Sequence, residues 1–121
     1  NEPTSTSQIY SAPLNFTTTK VLKAIAYPSD TTLLPSFTEY NTYFINVDHT
    51  LPVLSVSGTQ LTALANGNQS LRPKGALEYF GKDKIRSATV TGELNSHGQD
   101  SWVNDQRSID WVSRDEMGDD S

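Results

Sequence analysis

The sequence predicts a mainly β fold, and three features of the chain carry that expectation. Its apolar residues gather in short runs rich in Val, Ile, Thr, Tyr and Phe, the residues that fit a pleated, half-buried surface. Proline, glycine, asparagine and aspartate bound these runs, as turn chemistry requires. Only one segment, Thr59 to Ala65, has the character of a helix, and it is short.

In chain order, the first strand is expected over Lys20 to Tyr27 (KVLKAIAY), apolar on both faces apart from its two lysines. Pro28, Ser29 and Asp30 end it, and Thr31 to Ser36 form a loop bounded by a second proline. Thr38 to Asn46 (TEYNTYFIN) is the next strand. Leu51 to Ser57 (LPVLSVS) follows, with Pro52 near its start, where a missing N–H does least harm. The short helix has Thr59 as its expected cap and Gly67 as its stop. After a polar loop at Asn66 to Ser70, the runs Ala76 to Phe80 and Ile85 to Thr91 flank Gly81-Lys82-Asp83-Lys84, the pattern of a hairpin. Gly92 to Asn104 is expected to be irregular. Gln106 to Val112 forms a last strand, with Arg107, Ile109 and Trp111 on one face. A polar stretch, Asn46 to Thr50, marks the expected domain boundary, and no internal repeat is present.

Composition narrows the function classes. Hydrophobic residues make up 35% of the 121, so the core is small for the length. The net charge of −5 gives no electrostatic basis for nucleic acid or an anionic membrane surface. No cysteine is present, which removes disulfides, thiolate metal sites and a cysteine nucleophile. No apolar run approaches the roughly 20 residues of a membrane-spanning helix. The chain opens on Asn-Glu-Pro-Thr-Ser-Thr-Ser, which fits a mature or excised segment of a longer product.

Two stretches resemble known families. Glu2-Pro3-Thr4, Tyr10, Pro13, Thr17-Thr18-Thr19 and Val21 to Ala26 resemble the closing half of the chitobiase-type C-terminal module, a small immunoglobulin-like β-sandwich of secreted bacterial proteins. The module's preceding strand and Asp-Gly turn are not in the chain. Tyr43-Phe44-Ile45-Asn46, His49 to Val56, Arg72-Pro73, Ala76 to Phe80, His97-Gly98, Asp100-Ser101-Trp102 and Gln106-Arg107-Ser108 resemble the opening of the CotH-like (spore-coat kinase-like) family. Together the resemblances imply a partial immunoglobulin-like β-sandwich over residues 1–46, followed over 47–121 by the opening β-rich part of a CotH-like α+β domain. They imply a piece of an extracellular or cell-surface bacterial multidomain protein with a structural or interaction role. Its partners would be the remainder of its own chain and other surface or outer-membrane proteins.

The second resemblance carries an alternative, the entry region of an ATP-dependent protein kinase. Active members of that family use a basic residue where this chain has Gln106-Arg107, and acidic metal-binding residues further along. Arg107 is thus the candidate phosphate contact, although arginine is not equivalent to lysine in a phosphate pocket. Phosphoryl transfer needs a phosphate cradle, a basic residue and metal-holding carboxylates together. At most one of these is in this chain, so ATP and a divalent metal would belong to the parent protein and no cofactor to this segment.

Other candidates come from the residues themselves. Trp102 and Trp111 are the candidate sugar-stacking platform of an accessory carbohydrate-binding module; the competing reading is two core aromatics. Asp30-Thr31-Thr32 resembles a Bacteroidetes O-glycosylation acceptor, with Thr31 as the modified residue, and competes with an ordinary aspartate turn. Asn15-Phe16-Thr17 and Asn68-Gln69-Ser70 fit the glycosylation sequon. His49 and His97 lack partners at metal-ligand spacing; His97, beside Gly98, reads as a loop hydrogen-bonder, and His49 as part of the domain junction. Asp100, Asp105, Asp110 and Asp115 recur every five residues, unlike the alternate-residue pattern of calcium loops, and read with Glu116, Asp119 and Asp120 as solvated carboxylates. No nucleophile turn of the G-x-S-x-G type is present.

Overall fold

The computed structural model describes residues 1–113. Two antiparallel sheets account for the fold, as the strand-rich sequence predicts. The first pairs β1 (Lys20–Ala24) with β2 (Glu39–Tyr43), Leu22 lying opposite Asn41. The second is a meander of β3 (Val53–Gly58), β4 (Lys74–Phe80), β5 (Arg86–Ser96) and β6 (Ile109–Ser113), in the order β3-β4-β5-β6. The expected strands all appear, several of them shorter than their apolar runs.

Between β3 and β4 lies α1 (Leu61–Ala65), one turn and a half of helix. Thr59 does not cap it. The N-cap is Gln60, in a left-handed conformation with no side-chain cap bond, because the Thr59 hydroxyl is spent on Glu2. The stop falls where expected: Gly67 adopts φ 113, a value open to glycine, and donates its N–H to the Leu64 carbonyl.

The hairpin between β4 and β5 is closed by Gly81 N–H to Ile85 O at 3.0 Å and Lys84 N–H to Gly81 O at 3.0 Å. A second correction concerns Gly92 to Asn104. Gly92–Ser96 continue β5, held by pairing on both sides (Lys74 opposite Glu93, and Glu93 opposite Val112). Only His97 to Gln99 is irregular before a 3₁₀ turn at Asp100–Val103.

The two faces of the four-stranded sheet differ. Along β4, Ala76, Glu78 and Phe80 are buried and face the β1–β2 layer, where the Phe80 ring meets the Phe44 ring edge-on at 5.0 Å. On the opposite face, α1 and the 3₁₀ turn cover one end with the main core: Leu64, Leu94 and Trp102, flanked by Leu61, Leu71 and Trp111. Gly92 makes that packing possible, because a Cβ there would fall 2.7 Å from the Trp111 ring. Among the described residues, no helix is long and apolar enough to cross a membrane.

Candidate functional site

A polar seam joins the two sheets. Glu78 enters it because its place on β4, between Ala76 and Phe80, points its side chain at β2. It is fully buried and accepts bonds from the Thr42 N–H at 3.1 Å, the Thr42 hydroxyl, and Arg86 Nη1 at 2.9 Å. Arg86 spans the seam in turn, donating to Asn41 Oδ1 at 2.7 Å. Burying a carboxylate is costly unless it is paired and hydrogen-bonded in this way.

Glu2 forms a second junction. Its Oε1 accepts Lys23 Nζ and Thr59 Oγ1, both at 2.7 Å, and its Oε2 accepts the Tyr40 hydroxyl at 2.7 Å. Burial alone would raise the Glu2 pKa, but the bonds from Lys23, Thr59 and Tyr40, with the lysine's charge, hold it below its ordinary value. Tyr40 is raised, first by burial and then by the carboxylate it serves. The Glu78–Thr42, Arg86–Asn41 and Glu2–Thr59 bonds link the two stretches on either side of Asn46, while the Asp48–Lys84 pair lies wholly within the second. The Lys84 bond and charge lower the pKa of the exposed Asp48.

The other face of the four-stranded sheet is apolar and largely uncovered. Register places Leu54 opposite Tyr79, Val56 opposite Leu77, Leu77 opposite Val90 and Tyr79 opposite Ala88. All six side chains lie on the side away from β1–β2, by the two-residue alternation of a strand. Leu54 is 54% exposed, Val56 39% and Tyr79 40%. The five-residue α1 is roughly 7.5 Å long, against roughly 23 Å for the seven residues of β4. Its Leu64 packs at the end of this face, with Leu94, Trp102 and Trp111.

The sequence candidates take other positions. Trp102 is only 4% exposed, in the core, and its indole N–H donates to the His97 carbonyl at 3.1 Å. Its ring offers no open face for a sugar. Trp111 packs against the same core, and its Nε1 is buried without a partner among the described residues. Arg107 comes to the end of α1, where Nη1 donates to the Ala65 carbonyl at 3.0 Å and the guanidinium lies 6.0 Å from the Trp102 ring. One arm of this phosphate candidate is therefore spent on a helix C-terminus, a favourable place for a cation. Arg107 and the two tryptophans thus share one corner of the fold.

Thr31 is exposed in the turn that Asp30 organises. Asp30 accepts the Thr32 N–H at 2.9 Å and the Thr32 hydroxyl at 2.7 Å; these bonds, the backbone one foremost, lower its pKa. Asn68 accepts the Ser70 hydroxyl within its own sequon. His49 Nδ1 bonds the Leu51 carbonyl at 2.8 Å, and His97 Nδ1 lies 2.7 Å from Asp110 Oδ1, contacts that hold loops. Asp115, Glu116, Asp119 and Asp120 of the acidic segment lie outside the described residues. No group of three potential metal ligands stands together among the described residues.

Sequence reasoning passed over Glu78, Glu2 and the apolar face. The signal for Glu78 was present: a carboxylate at the buried parity of an alternating strand. The apolar face was equally legible in Leu54, Val56, Leu77, Tyr79, Ala88 and Val90 once register was known. Glu2 gave no local sign, since its partners lie at positions 23, 40 and 59.

Comparison with known proteins finds no match to a protein family, a curated protein or a solved structure.

Proposed function

We propose that this chain is a structural and interaction segment of an extracellular bacterial multidomain protein, with its apolar sheet face covered by further polypeptide of the same protein. The observation that carries this reading is the exposed patch of Leu54, Val56 and Tyr79, continued by Leu77, Ala88 and Val90. A sheet with one face packed and the other apolar has a second layer to accept. Fully burying a large apolar side chain is worth about 1.5–3 kcal/mol, so covering the exposed parts of Leu54, Val56 and Tyr79 would contribute roughly 2–4 kcal/mol together. That is enough to hold a neighbouring segment already tethered by the chain, where loop closure replaces free association. The resemblances to a chitobiase-type module and to the opening of a CotH-like domain suggest the same kind of parent.

The test is a photo-cross-linking amino acid at position 54 of the parent protein. The expected product is an intrachain adduct to a peptide outside residues 1–121, with the exposed Ile9, which belongs to neither sheet, as the silent control position. Equal cross-linking from positions 54 and 9, or no intrachain adduct at position 54, would overturn the proposal.

A further inference from the structure

On the other side of the molecule, a cavity of about 280 Å³ opens between the N-terminal segment, the residues leading into β2 and the start of β4. At about 30 Å³ per water, it holds the volume of roughly nine waters, the size of one six-membered ring with its substituents.

Its walls divide by chemistry. Phe37, 57% exposed, supplies an open aromatic face. Glu2 lines the opposite chemistry: its Oε2 accepts only the Tyr40 hydroxyl among the described residues and keeps room for another donor. The three bonds on that carboxylate keep it ionised at neutral pH, so it asks for a donor. Lys74, exposed at the start of β4, lines the cavity and joins none of the ion pairs among the described residues, so its ammonium asks for an acceptor. Lys23 already neutralises Glu2, which leaves no net attraction for a cation. Thr38 adds a hydroxyl at the rim.

We infer that this cavity binds a single neutral hexopyranose unit, its C–H face against Phe37 and its hydroxyls donating to Glu2 and accepting from Lys74. A pyranose has an apolar face and a rim of groups that both donate and accept, which this division of walls requires. The site shares no residue with the exposed patch of Leu54, Val56, Leu77, Tyr79, Ala88 and Val90, so it stands or falls independently of the proposed function.

The test is an amide chemical-shift titration of the whole 121-residue chain with methyl glucoside, methyl galactoside and N-acetylglucosamine. One-ring ligands of this kind bind at about millimolar strength, near −4 kcal/mol. At least one sugar should shift the amides of residues 36–40 and 74–75. Phe37→Ala and Lys74→Ala should each weaken it about tenfold, and Leu54→Ala should leave it unchanged. Phe37 and Lys74 are exposed, so both variants are expected to fold, and a spectrum matching the parent outside the cavity verifies it. Shifts absent with all three sugars, shifts mapping elsewhere, or binding that survives both substitutions would overturn the inference.

Discussion

Replacing Glu78 by alanine tests the seam that fastens the two sheets together. The substitution removes an acceptor from the Thr42 N–H, the Thr42 hydroxyl and Arg86 at once. Breaking a fully buried ion pair costs about 3–5 kcal/mol, much of it for the stranded charge. Here Arg86 is 37% exposed and keeps Asn41 Oδ1 as a partner, so water takes up part of that penalty. The orphaned Thr42 N–H, a part-buried backbone donor, adds about 1 kcal/mol, the low end of the range for an unsatisfied buried group. The expected net loss for Glu78→Ala is about 3 kcal/mol, with about half of that for Glu78→Gln, which keeps one carbonyl acceptor. For a chain this small, the urea slope is about 1–1.5 kcal/mol/M, so the midpoint should fall by about 2 M. Urea unfolding followed by tryptophan fluorescence reads this, since Trp102 and Trp111 report on the four-stranded sheet. Hydrogen exchange should show β1 and β2 opening first, because the seam holds them. A loss below about 0.5 kcal/mol for Glu78→Ala, or exchange rising uniformly across both sheets, would refute the reasoning.

Three further predictions follow from packing and charge. Trp102→Ala should cost about 3–5 kcal/mol in denaturant unfolding, as expected for a large aromatic removed from a core; a loss under about 1 kcal/mol would mean the ring is not buried. Gly92→Ala should destabilise by about 1–3 kcal/mol, because the added Cβ meets the Trp111 ring at 2.7 Å and the Val112 carbonyl at 2.6 Å; a neutral result would show that β6 yields without cost. Because Glu2 has a folded pKa below its usual 4.5, its contribution is fully present above that value and is lost as pH falls through the lower folded pKa. Its side chain is 36% exposed, so the effect is small, below about 1 kcal/mol. Thermal melts between neutral and acid pH should show Glu2→Gln with a shallower acid loss than the parent; identical slopes would remove Glu2 from the account.

The strands were legible because β-branched and aromatic residues cluster where pleated surfaces need them, as in Val53–Gly58 and Lys74–Phe80. The end of β5 was not, because Gly92, Glu93, Asn95 and Ser96 have little strand preference of their own. Neighbours on both sides impose their conformation, a tertiary effect that no local window records. Thr59 misled as a cap because the residue is a good capper in isolation, while a carboxylate 57 positions away competes for its hydroxyl. The tryptophans posed a different problem. Their place in or near a strand favours a core over a platform, and the fold of the 3₁₀ turn onto Leu64 decides for the core at Trp102. The apolar face emerges from register, since Leu54, Leu77 and Val90 become neighbours only when β3, β4 and β5 align.

Hydroxyl-radical footprinting of Leu54 and Tyr79 measures the covering of that face most directly, comparing the 121-residue chain with the longer parent protein proposed above. Strong labelling of both residues in the chain and severalfold protection in the parent is the predicted result, with Ile9 labelled alike in both. Equal labelling of Leu54 and Tyr79 in the two settings would contradict it.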